Sequence, residues 1–127
     1  MIDALFSQPN YAAAKKLLDA TALRHEAIAR NLGNVEKPGY QRVDVNPSFS
    51  TELQQALGAQ NSDAVDNLQP ALTVDANAVA NSKDGNTVQL EKELMLMNQN
   101  TIAHALESQL VTGQMLRLRL AITGRPS

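Results

Sequence analysis

The chain has no cysteine, no tryptophan, and only two phenylalanines and two tyrosines among its 127 residues. Without cysteine it has no disulfides and no thiolate metal sites, and its redox compartment is left open. Charge of either sign is also in short supply: 11 bases against 13 acids leave a net charge of −2. That balance offers no basic footprint for nucleic acid. No run of residues approaches the roughly 18 consecutive apolar positions of a membrane span, so no membrane insertion is expected. The opening residues, Met1-Ile2-Asp3-Ala4-Leu5-Phe6, lack a basic n-region and a sustained apolar run, so a cleavable secretory signal is not expected either. By these rules alone the chain is expected in the cytoplasm.

What the chain does have is alanine and leucine at helical spacing. They supply most of a hydrophobic content of 43%, enough for the core of one domain. Small aliphatic side chains in such patterns favour helix-on-helix packing over a globule with a ligand pocket. The dominant stretch is Thr87 to Ile122, which contains no proline and one glycine, Gly113. As a helix it spans roughly 54 Å. One apolar row runs Leu90, Leu94, Met97, Thr101, His104, Ser108, Val111, Met115, Leu118, Ile122, and a second runs Leu96, Ala103, Leu106, Leu110, Gly113, Leu120. A helix apolar on more than one face needs more than one neighbour to cover it.

Leu5 and Phe6 anchor a short lead, and Pro9-Asn10 is expected to start the first helix with Asn10 as its N-cap. Tyr11, Ala14, Leu18, Thr21, His25, Ile28 and Leu32 then form a heptad seam, which Gly33 and Asn34 end as residues tolerant of positive φ. Pro38-Gly39 is a type II turn signal. Gln41 to Val45 alternates as a short strand until Asn46-Pro47 breaks it, and Phe49, Leu53 and Leu57 mark a short amphipathic helix. Gly58 to Gly85 is rich in Asn, Asp, Gln, Ala and Ser; apart from a strand at Leu72-Thr73-Val74 it reads as weakly structured. Asp84-Gly85 is a turn, and Asn86 is expected to cap the last helix with Gln89 returning the bond. Gly124 and Pro126 stop that helix. The fold expected is therefore mainly α. Residues 1–35 and 86–127 hold long helices that pair as a coiled-coil-like core, and residues 36–85 form a turn and an irregular, partly mobile middle with one or two short strands.

Catalytic constellations are missing. There is no phosphate-binding loop, no dinucleotide fingerprint and no nucleophile elbow, so no enzyme and no cofactor is expected. His25 and His104 both fall on apolar rows. A metal reading would need carboxylates converging with them, which the spacing does not suggest. The readings that remain are semi-buried histidines at a helix seam, or one shared interface made sensitive to pH. Glu91, Lys92, Glu93 and Glu107 look like a solvated face, and the methionines Met95, Met97 and Met115 look like adaptable packing.

The stretch Asn31-Leu32-Gly33-Asn34-Val35-Glu36-Lys37-Pro38-Gly39-Tyr40 resembles the signature of the bacterial flagellar rod and hook proteins. That signature reads Asn, apolar, Ala, Asn, two variable residues, Thr, Pro, Gly, Tyr at the end of the first helix. Gly33 stands here for the usual Ala and Lys37 for the usual Thr; Asn31, Asn34, Pro38, Gly39 and Tyr40 match. Asp84 to Leu94 resembles the same family's DGN-x-V-x-L-x-x-E lead into the last helix. The tail from Met97 to Ile122 follows the family too, except that His104 sits where relatives usually carry Tyr. Short length makes the chain most similar to the proximal-rod branch.

The resemblance implies a structural subunit whose terminal helices assemble into the hollow shaft of the motor. Its assembly contacts are then expected at Leu18, Ile28, Leu32, Leu90, Leu94, Met97, Leu106, Leu110, Val111 and Leu118. The implied partners are further copies and other rod subunits, the rod-to-MS-ring adaptor and the MS ring at the base, and the flagellar type III export apparatus. Residence in the basal body, across the periplasm and without a cleaved signal, replaces the cytoplasmic expectation. Phe49-Ser50-Thr51-Glu52-Leu53 resembles the Phe-x-x-x-apolar element of exported rod and hook subunits, which makes Phe49 and Leu53 the expected export-gate element. The competing reading is a cytoplasmic helical chaperone or adaptor that binds a partner helix. The Asn…Pro-Gly-Tyr block separates the two, since a chaperone has no need of that turn.

Overall fold

The computed structural model of the chain describes residues 9–80 and 83–124, excepting the side chains of Pro9, Asn10 and Leu118. Leu5, Phe6 and Pro126 lie outside the described residues. The elements in order are α1 (Pro9–Gly33), β1 (Val43–Val45), α2 (Ser48–Gly58), α3 (Ser62–Asn67), β2 (Leu72–Val74) and α4 (Leu90–Thr123). The chain is mainly α, as expected, with a long C-terminal helix of 34 residues, about 51 Å. α1 and α4 lie antiparallel: Tyr11 meets Met115, Thr21 meets Asn100, and Asn31 meets Glu93.

The main apolar core does not lie between the two long helices. It lies between α1 and the middle of the chain, where Ala12, Ala13 and Ala20 pack with Val45, Phe49, Leu53, Ala56 and Val65. The alanines let α2 and α3 come close to α1, so each larger apolar side chain of the middle finds a shallow seat. Between residues 58 and 85 the chain is irregular, as expected, apart from one short helix and one strand. α3 is capped by Asn61, whose side chain accepts from the Ala64 amide at 3.1 Å, and it buries Val65 completely. β2 pairs antiparallel with β1 in the register Val43↔Val74, Asp44↔Thr73, Val45↔Leu72. Asn46 extends that pairing through Ala71, with its own amide on the Ala71 carbonyl at 2.8 Å and its Oδ1 taking the Ala71 amide at 2.9 Å. Within that irregular stretch and just before it, Asn61 and Asn46 cap or latch local backbone.

Three helix boundaries differ from expectation. Asn10 is already helical, so it is not an N-cap. α1 does stop at Gly33, but neither Gly33 nor Asn34 takes positive φ. The chain leaves through tight turns instead, Asn34 N–H to the Asn31 carbonyl at 3.2 Å and Val35 N–H to Leu32 at 3.4 Å. α4 begins at Leu90 with Gln89 in the cap position and no side-chain cap bond; Asn86 is used elsewhere. Its other end behaves as expected, with left-handed Gly124 donating to the Leu120 carbonyl at 2.7 Å.

The placement of the core sets an expected contrast. Phe49→Ala should cost about 3–5 kcal/mol. Ile102→Ala, at a position 63% exposed on α4, should stay within about 0.5 kcal/mol. Denaturant unfolding of the two variants checks this, and equal costs would refute the placement.

Candidate functional site

The residues of the signature stretch converge where α1 ends and α4 begins. Lys37-Pro38-Gly39-Tyr40 is the expected type II turn, with Gly39 at φ +73° and the Tyr40 amide on the Lys37 carbonyl at 3.2 Å. The segment before α4 lies against it. Gly39 N–H donates to the Asp84 carbonyl at 2.7 Å, Thr87 N–H to Tyr40 at 3.0 Å, and Arg42 N–H to Thr87 Oγ1 at 2.8 Å. Gly85, also at positive φ, lies beside the turn, where a β-carbon would sit in ordinary contact 3.7 Å from Gly39 Cα.

Two buried asparagines join these pieces. Asn86 Nδ2 reaches the carbonyls of Asn34 at 2.9 Å, Val35 at 3.1 Å and Lys37 at 2.7 Å, while its Oδ1 takes the Val88 amide at 2.7 Å. One side chain thus ties the turn that follows α1 to the segment leading into α4. Asn31, fully buried, mimics a strand: Nδ2 donates to the Val43 carbonyl and Oδ1 accepts the Val43 amide, both at 2.9 Å. The Tyr40 hydroxyl also donates to Asn31 Oδ1 at 3.3 Å, and Asn31 Nδ2 lies 3.3 Å from Glu93 Oε2. Asn34 has the lesser task of donating to the Arg30 carbonyl at 2.8 Å.

Beneath the turn lies a buried ion pair. Glu93 is 0% and Arg42 4% exposed, with Arg42 Nε on Glu93 Oε1 at 2.6 Å. Arg42 Nη1 reaches Asp75 Oδ2 at 2.5 Å and Asp44 Oδ2 at 3.5 Å. Burial pulls the Arg42 pKa down, but hydrogen bonds to Glu93 and Asp75 and the nearby carboxylates outweigh it, so the pKa rises. Burial pushes Asp75 up, and the hydrogen bond from Arg42 outweighs it, leaving Asp75 below its ordinary value. Glu93 is thus not on a solvated face, and neither is Glu107. The Thr21 hydroxyl, itself buried, lies 2.8 Å from Glu107 Oε2, 2.9 Å from His104 Nδ1 and 3.0 Å from the Leu18 carbonyl. Burial raises the Glu107 pKa; the Thr21 hydroxyl, His104 and Arg24 counter this only in part. Glu107 and His104 thus meet through the Thr21 hydroxyl. His104 is half-buried as expected, whereas His25 is exposed; both line one groove between α1 and α4.

The chain matches no protein-family model and no curated protein.

Of the expected assembly residues, Leu90, Leu94, Leu106 and Leu110 are exposed on α4 and Leu18, Leu32, Met97 and Val111 are half-buried. The Leu118 side chain lies outside the described residues. Ile28 is 1% exposed and serves the chain's own interior, so it offers no surface to a partner. Phe49 and Leu53 are core residues. A further seam went unread: Met95, Gln99, Ile102, Leu106, Gln109, Gly113, Leu116 and Leu120 follow one another by fours and threes, and all are exposed. At about 3.6 residues per turn they lie on the side of α4 away from Glu93, Asn100 and Glu107. Arg42, Glu93, Asp75 and Asn86 were missed as site residues. The signal for Glu93 was available, since it is the final Glu of the DGN-x-V-x-L-x-x-E pattern.

Two measurements follow from the charges. Glu93→Ala removes the most buried of Arg42's three carboxylate partners and should cost about 3–5 kcal/mol, against about 0.5 or less for the neighbouring exposed Glu91→Ala; similar losses would remove the lock. For pH, Asp75 binds fewer protons folded than unfolded, so its contribution is complete above the ordinary aspartate pKa of about 3.9 and is lost as pH falls further. Glu107 has the opposite sign: its contribution is complete below the ordinary glutamate pKa of about 4.3 and fades as pH rises through the raised value. Unfolding midpoints across pH 3–7 should lose the first slope in Asp75→Asn and the second in Glu107→Gln.

Proposed function

We propose that this protein is a structural subunit of the bacterial flagellar rod, of the proximal, FlgB-like kind. The observation that carries the reading is the heptad seam on the outer face of α4, Met95 to Leu120, exposed along about 38 Å of helix. A seam this long has no use in an isolated chain and suits a helix packed in a bundle of neighbours. The resemblance of the Asn31–Tyr40 and Asp84–Glu93 stretches to rod and hook proteins selects the rod among helical assemblies. On this reading the locked turn holds the angle between the two helices, and copies stack through the faces of α4 left free. The partners are other rod subunits, with the MS ring and its adaptor at the base, and the role is mechanical, not catalytic.

Export fits the same reading. Phe49 and Leu53 are buried once the chain folds, so an export gate would meet them only on an unfolded chain. Secretion of Phe49→Ala, assayed in a strain blocked in rod assembly, is expected to fall; normal secretion there would leave Phe49 a packing residue alone.

The decisive test uses positions that the single subunit does not bury. Leu106→Asp and Leu110→Asp should leave circular dichroism and thermal unfolding near wild type, yet abolish rod assembly and motility, because assembly would bury a carboxylate against apolar neighbours. Wild-type motility from both variants would sink the proposal.

A further inference from the structure

The two long helices do not end together. The Tyr11 hydroxyl donates to the Met115 sulfur at 3.2 Å, which sets the level of α1 against α4. Only Pro9 and Asn10 of α1 precede Tyr11, whereas α4 runs on from Met115 to Thr123, roughly 12 Å further. The side of α4 that meets α1 carries Glu93, Asn100, Glu107 and Met115. At about 3.6 residues per turn, Val111 and Ile122 lie on that side as well. A groove of about 590 Å³ runs from Val111 to Thr123, and every described residue that lines it belongs to α4. Met115 and Ile122 within it are more than half exposed. The face that α1 covers elsewhere thus continues, apolar, past the described start of α1.

Connectivity and composition say what can cover it. Residues 1–8 join directly to Pro9, and eight residues reach at most about 26–29 Å. The whole groove, which begins beside Tyr11, is within that range. Outside the described residues the chain has three stretches: 1–8, 81–82 and 125–127. The last two read Asn-Ser and Arg-Pro-Ser, whereas the first contains Ile2, Leu5 and Phe6. Charge agrees with this choice. The only charged side chain of residues 1–8 is Asp3, and the only one lining the groove is Arg119, which has no ion pair among the described residues.

We propose that the groove at the end of α4 is a docking site for this chain's own first eight residues. Leu5 and Phe6 supply the apolar surface that Met115 and Ile122 lack, and Asp3 meets Arg119. The apolar contact provides the attraction; an exposed ion pair adds little energy and serves to orient the segment. Being tethered at Pro9, the segment needs no second molecule to reach its site, so the contact forms at any protein concentration.

The chain has no tryptophan, so Phe6→Trp places a single reporter on the segment in the full-length protein. Its emission is expected to be blue-shifted and shielded from acrylamide, and to stay so on dilution. Adding Ile122→Asp, at an exposed position, should return both readings to those of a water-exposed indole without altering circular dichroism. An indole exposed at the outset, or one indifferent to Ile122→Asp, would overturn the docking. So would shielding that is lost on dilution, the mark of a second copy in the groove. Hydrogen exchange gives an independent reading. Leu5→Ser combined with Phe6→Ser should hasten exchange of the α4 amides from Met115 to Thr123 and spare those from Glu93 to His104. No change at the end of α4, or an equal loss along all of it, would also overturn the proposal.

Discussion

A charge taken out of water must be met by other charges or dipoles, and in this protein that demand falls on Glu93. It sits one turn into α4, sealed from solvent, and its only strong partner is Arg42, roughly fifty residues earlier in the chain. To bring Arg42 there, the backbone must leave α1, reverse at Pro38-Gly39 and run into β1. To hold it there, Asp75 must follow β2, and Asn31 must close the strand that Arg42 leads. The turn, the hairpin and the first turn of α4 are thus conditions of one ion pair. Such a pair contributes little net stability over an apolar equivalent, because desolvation offsets the attraction. Its value lies in direction: a slip of α4 by one residue would bury the carboxylate with no cation in reach.

The same logic extends along the paired helices. Where α4 meets α1 it offers Glu93, Asn100, His104 and Glu107, each answered by a specific atom of α1 or β1. Its leucines, isoleucines and methionines mostly face outward. An apolar interface tolerates sliding, whereas one hydroxyl shared by a histidine and a glutamate does not. The subunit spends its directional interactions on internal register and keeps its non-directional ones for surfaces elsewhere. α1, for its part, has alanines toward α2 and α3, which is why a core with so few aromatics still closes.

The elements themselves were largely readable. Periodicity located α1, α2 and α4, the Pro-Gly pair located the turn, and alternation located both strands. Partners were not readable, for a physical reason. Periodicity reports which residues share a face and says nothing of what covers it, so Leu94 and Ile28 looked alike, although one is exposed and the other buried. Glu93 looked like Glu91 because adjacent acids are distinguished only by an arginine far off in sequence. Composition marked residues 58–85 as irregular, which they largely are, but did not show that Asn61 there, and Asn46 before it, serve as a cap and a latch. The capping pattern at Asn86 was right in finding a side chain committed to backbone, but wrong about which backbone.

Asn86 also bears on the order in which the fold can be completed. The three carbonyls it holds belong to residues 34, 35 and 37, about fifty positions upstream. Contacts of such separation form late, since a long loop must close before they yield anything. A ribosome will have released α1 and the Pro-Gly turn well before Asn86 emerges, and until then that segment has only its own backbone bonds, Lys37 N–H to Asn34 and Tyr40 N–H to Lys37. The turn after α1 therefore lacks its side-chain latch until the last third of the chain is made. The apolar core, by contrast, lies wholly upstream of Asn86, so packing can precede the latch: what the last third adds is the fixed angle at which the first helix leaves it.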